Sequence, residues 1–85
     1  MKQNKIVVIL HNEENLLYVG DSVADALQQM WYDDESQDRD GLCFTVCDMA
    51  EGTEKKYQYI SVMFHYCFDH GRISVEELLD ECKVV

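Results

Sequence analysis

The chain has 85 residues, 47% of them apolar, and carries 17 acidic against 7 basic side chains for a formal charge of −10. That length allows one compact acidic domain over residues 1–85 with a modest core, and the apolar fraction excludes a disordered acidic tail. The sign of the charge opposes direct binding to nucleic acid or to anionic membranes and favours basic protein surfaces as partners.

Met1 to Lys5 lead into the apolar run Ile6–Leu10. This run is too short for a signal-peptide core and has no small-residue cleavage site after it. No stretch reaches the roughly 18–20 apolar residues of a membrane span. A soluble, cytoplasmic protein is expected. The continuous β-branched run Lys5–His11 reads as a strand buried on both faces. Asn12–Asn15 is a turn, and Leu16–Val19 is a second strand closing a hairpin.

Ser22 then stands as the N-cap of a helix ending near Tyr32, with Asp25 in the first turn where the helix dipole favours an acid. Val23, Ala26, Leu27, Met30 and Trp31 fall on one side of it, and Asp25, Gln28, Gln29 and Tyr32 on the other. An acidic loop follows. Asp33, Asp34, Glu35, Asp38 and Asp40 place five acids in eight residues, and Arg39 is the only cation between Glu13 and Glu54.

Leu42–Cys47 is a third strand by composition, and Asp48–Gly52 a turn. The next segment is rich in strand formers, yet Glu54, Gln58, Ser61, His65 and Asp69 step by 4, 3, 4 and 4, a polar stripe at helical spacing. The stripe predicts a helix over 54–70, capped by Thr53 and stopped by Gly71. Ser74-Val75-Glu76-Glu77 is a capping box that opens a last helix over Val75–Cys82, with Ile73 and Leu78 at the staple positions. The expected fold is α+β, order β-β-α-β-α-α, with a small three-stranded, mostly antiparallel sheet and three helices.

Few residues invite chemistry. Cys43 and Cys47 share a strand and sit about 13 Å apart, too far for one zinc ion or a disulfide. No CxxC pair exists, and the thiols read as buried and reduced, in preference to a metal site built with His65 or His70. Cys67 and His70 stand at i, i+3, but a Cys–His dyad needs an orienting group and an oxyanion site that the sequence does not supply. Ser36–Gly41 partly follows the EF-hand loop pattern. Ser36 replaces its first Asp, Cys47 replaces its bidentate Glu, and the flanks are wrong. The expectation is no enzyme, no metal and no cofactor.

Carboxylates at i, i+4 stand about 5–6 Å apart, as Glu76–Asp80, Glu77–Glu81 and Asp21–Asp25 would. Such rows suit Arg and Lys side chains that otherwise grip phosphates. The candidate partner-binding residues are therefore Asp33, Asp34, Glu35, Asp38 and Asp40 in the loop, and Glu76, Glu77, Asp80 and Glu81 on the last helix. In size, acidity and helix-plus-sheet content the chain resembles anti-CRISPR and other DNA-mimic inhibitors of phages and mobile elements. That resemblance implies an inhibitor that blocks a basic nucleic-acid-binding surface on a partner protein. It is one of composition and carries no residue roles across. A structural or regulatory homodimer that uses the aromatic helix 54–70, with acidity serving solubility, is the alternative.

Overall fold

A computed structural model describes residues 5–33 and 40–84. The α+β class holds, but the sheet has four strands. β1 (Ile6–Leu10), β2 (Leu16–Gly20), β3 (Cys43–Asp48) and β4 (Thr53–Gln58) are ordered β2-β1-β3-β4, and every neighbouring pair is antiparallel. α1 (Val23–Tyr32) follows β2. α2 (Ser61–Phe64) runs straight into a π-helical turn over His65–Asp69, and α3 (Val75–Cys82) ends the fold.

The extra strand replaces the first half of the helix expected over 54–70. β4 folds back on β3 in a hairpin with Cys43 opposite Gln58 and Asp48 opposite Thr53. Its turn is closed by the Gly52 N–H donating to the Asp48 carbonyl at 2.8 Å, while the Asp48 carboxylate accepts from the backbone of Ala50 and Glu51. Gly52 has φ +70°, a conformation that favours glycine. Tyr57 and Tyr59 are buried, whereas Glu54, Lys56 and Gln58 are exposed. This period-2 alternation is the strand signal that the helical stripe masked. Helical spacing is real only from Ser61 onward.

One sheet face carries the core. Ile6, Val8, Leu10, Tyr18, Phe44, Val46 and Tyr57 meet Ala26, Leu27 and Met30 of α1, Phe64 of α2, and Leu78 and Cys82 of α3. α1 lies over β1 and β2, and α3 reaches β4. The other face has no helix on it among the described residues, so β1 is not buried on both sides: Val7 and Ile9 are half-buried there. Leu17 is 62% and Val19 46% exposed beside them.

Of the three predicted helix starts, those at Ser22 and Ser74 are present, and Thr53 instead opens β4. The Ser22 hydroxyl accepts from the Asp25 N–H at 3.1 Å. Ser74 and Glu77 exchange both capping-box bonds, at 3.1 and 3.3 Å. Gly20, the last residue of β2, lets α1 start close against the sheet. A Cβ placed there would lie 2.7 Å from the Ala26 backbone nitrogen and 2.8 Å from Asp25 Oδ2. Gly20→Ala is therefore expected to cost about 1–3 kcal/mol by overpacking. Urea unfolding should show a lower midpoint with an unchanged slope; an unchanged midpoint would mean that the start of α1 yields freely.

Candidate interaction surface

The apolar side of α3 settles which of its acids face water. Leu78 and Cys82 are buried, Val75 and Leu79 half-buried, and Glu76, Glu77, Asp80 and Glu81 exposed. Glu77 is committed to the cap, where it accepts from the Ser74 backbone. Glu76 stands in the first turn, where the dipole welcomes an acid. Asp80 and Glu81 stand in the last, where it favours a cation, and that turn holds no basic residue. None of the four lies within ion-pair distance of a described Lys or Arg.

Asp80 nevertheless belongs to a different surface from its neighbours. It lines a cleft between β4 and α3 with Lys55, Lys56 and Lys83. The Glu76–Asp80 row is thus flanked by cations. Two of these lysines lie on β4, an edge strand, where charge also opposes edge-to-edge association. The Asp21–Asp25 pair is turned inward on itself, the Asp25 carboxylate accepting from the Asp21 N–H at 3.3 Å.

Of the loop acids, Asp34, Glu35 and Asp38 lie outside the described residues, as does most of the segment resembling an EF-hand. Asp33 and Asp40 flank them, and each does structural work. Tyr18 donates its hydroxyl to Asp33 at 2.5 Å. Asp40 accepts from the backbone N–H of Ser61 at 2.8 Å, at the start of α2. Asp40 and Glu81 both act electrostatically on the Cys82 thiol, and both raise it.

The four thiols are free. Cys43 is exposed. Burial pushes Cys67 up from its ordinary value, and burial followed by the nearby Glu54 does the same to Cys47. Neither Cys47 nor Cys67 is thereby activated as a thiolate. The hydrogen-bond partner of the His70 ring is His65, not Cys67, so the Cys–His dyad is not assembled.

A cluster that the sequence did not connect forms where α1 meets the π turn. The Trp31 indole N–H donates to Asp69 Oδ1 at 3.0 Å, and the Tyr32 hydroxyl to the same oxygen at 3.2 Å. His65 Nδ1 meets the other oxygen, Oδ2, at 2.8 Å. The Trp31 bond first, and the His65 bond next, hold the Asp69 carboxyl below its ordinary value, so Asp69 is a carboxylate at neutral pH. The i, i+4 spacing of His65 and Asp69 was readable from sequence; the contacts with Trp31 and Tyr32 span 36 to 38 residues and were not.

No protein-family model matches the chain, and comparison with curated proteins and with solved structures returns no match. Among the described residues, no helix is long and apolar enough to cross a membrane.

Burial, opposed only in part by a hydrogen bond from the Ile60 backbone and reinforced by Glu81 and Asp40, raises Cys82 from 9.0 to about 11. The native state thus keeps this proton where the unfolded chain has lost it. Its stabilising effect is complete below pH 9 and is lost as pH rises towards 11. Urea titrations across that range should show falling stability, with a shallower fall in Cys82→Ala. Alkylation of native protein at pH 8 should label Cys43 first and Cys82 last; early labelling of Cys82 would contradict its burial.

Proposed function

We propose that the protein is an acidic interaction module that occupies a basic, nucleic-acid-binding surface on a partner protein and so inhibits it. One observation carries this reading. Glu81 sits in the last turn of α3, against the helix dipole, with no described Lys or Arg in ion-pair reach. Placement of this kind costs fold stability and leaves the field directed outward. Asp34, Glu35 and Asp38, which stand between Asp33 and Asp40 in the sequence, add to the negative charge. Long-range attraction to a basic partner raises the association rate and makes binding salt-dependent. The protein itself binds no nucleic acid, and catalysis has no part in this reading.

A second reading is a regulatory homodimer. Tyr57, Tyr59 and Phe64 of the segment 54–70 are core residues, while Val62 and Tyr66 stay exposed. The exposed Leu17 and Val19, beside Val7 and Ile9, favour association through this sheet face, which carries no helix among the described residues.

Capture from a cell lysate on the immobilised protein distinguishes the two. Basic nucleic-acid-binding proteins should bind at low salt, elute at high salt, and be displaced by an oligonucleotide duplex. A variant with Asp34→Lys, Glu35→Lys, Asp38→Lys, Glu76→Lys and Glu81→Lys should keep its circular dichroism and lose the captured proteins. Asp33, Asp40 and Glu77 are spared because each holds a structural hydrogen bond. Retention by this variant would overturn the inhibitor reading. A salt-insensitive dimer that Leu17→Lys dissociates would establish the second.

A further inference from the structure

The π turn changes which residues share a face. A regular helix aligns positions three and four apart, whereas a π turn brings i and i+5 together. Here those positions are His65 and His70: the His70 N–H donates to the His65 carbonyl at 3.2 Å, and the two imidazole Nε2 atoms meet at 2.9 Å. The ring planes stand at 87° with centroids 4.4 Å apart. Both residues are exposed. Such turns are tolerated at a cost to helix stability and occur often at functional sites.

The protonation pattern follows from Asp69. Its carboxylate can only accept, so His65 carries a proton on Nδ1 and presents Nε2 as a lone pair. Trp31 and Tyr32 fix the far oxygen of the same carboxylate, which sets the plane of the His65 ring. A carboxylate behind one imidazole nitrogen with a free lone pair on the other is the usual outer support of a metal-bound histidine.

We propose that His65 and His70 form an open two-histidine site for a divalent transition-metal ion of the zinc class, with Asp69 as its positioning residue. Two nitrogens on a tetrahedral zinc at about 2.0–2.1 Å stand about 3.3 Å apart. The pair therefore has to open by only about 0.4 Å. His70, neutral with its proton moved from Nε2 to Nδ1 through water, turns its Nε2 lone pair to the ion. Water completes the coordination. Imidazole selects zinc, copper and nickel over calcium and magnesium, so the ligand type and not the acidic field sets the specificity. In the sequence, His65 and His70 read only as companions of the cysteines, because a regular helix does not bring positions five apart together.

Calorimetric titration of metal-free protein with Zn²⁺, in a Cys43→Ser background that removes the exposed thiol, tests the assignment. One ion should bind per chain. His65→Gln and His70→Gln should each abolish saturable binding, and Asp69→Asn should weaken it about 10- to 100-fold. A tenfold excess of Ca²⁺ should not compete. In proton NMR of the unsubstituted chain, the His65 and His70 ring signals should shift with Zn²⁺. The His11 ring, which is held on the Thr45 hydroxyl at 2.7 Å, should not. Binding that survives both histidine substitutions, displacement by Ca²⁺, shifts at His11 alone, or no saturation would each overturn the site.

Discussion

The stacking of Phe64 on Tyr59 fixes where the second half of the chain goes. The rings lie 4.6 Å apart and 9° from parallel, and Phe44 of β3 meets both edge-on. Tyr57 stacks on the other side of Phe44 at 5.4 Å. Four aromatic side chains from β3, β4, the link after β4, and α2 thus form one block, each contact worth about 0.5–1.5 kcal/mol beyond simple burial. The block ties α2 down onto the sheet. Trp31 of α1 reaches Phe64 at 6.2 Å, so the first helix is keyed to the same block. Everything outward-facing on this side of the molecule inherits its position from there: Asp69 against Trp31, the two histidines on the π turn, and Asp40 at the start of α2.

The same block explains why the aromatic segment was the hardest to read. Tyr57 to Phe68 supplies both a strand and a helix, and its composition suits either. The local signals around Ser22 and Ser74 were legible because a cap is settled within four residues. The β1–β2 hairpin was legible for the same reason. The fate of residues 53–58 was settled elsewhere, by the need of β3 for a partner on its free side. Glu54 and Gln58 happened to continue the helical spacing of Ser61, His65 and Asp69, and that coincidence outweighed the alternation of Tyr57 and Tyr59 with their polar neighbours.

The acidic residues were legible as a composition and only partly as a surface. Counting acids along α3 gives Glu76, Glu77, Asp80 and Glu81 equal standing. Their surroundings separate them: Glu77 is spent on the cap, and Asp80 faces three lysines. In the loop, Asp33 and Asp40 are fastened to Tyr18 and to the backbone of Ser61. Side-chain hydrogen bonding of this kind removes an acid from a binding surface without removing its charge from the total. A net charge of −10 is therefore a poor measure of how many carboxylates are available to a partner.

Helix electrostatics sharpens the division between the two sides of the molecule. The continuous segment Ser61–Asp69 begins in agreement with its dipole, with the Asp40 carboxylate bonded to its first N–H, and the acid at its end, Asp69, is held by hydrogen bonds from Trp31 and Tyr32 and by its contact with His65. α3 begins in agreement, with Glu76 and Glu77, and ends in conflict, with Asp80 and Glu81 and no cation in the last turn. Solubility alone accounts for acids anywhere on a surface; it does not account for placing them where they destabilise the helix that carries them. Lysine at position 81 would serve solubility and stability together. The proposed recognition at that end of α3 rests on this acid, which stands in the last turn with no described Lys or Arg in ion-pair reach.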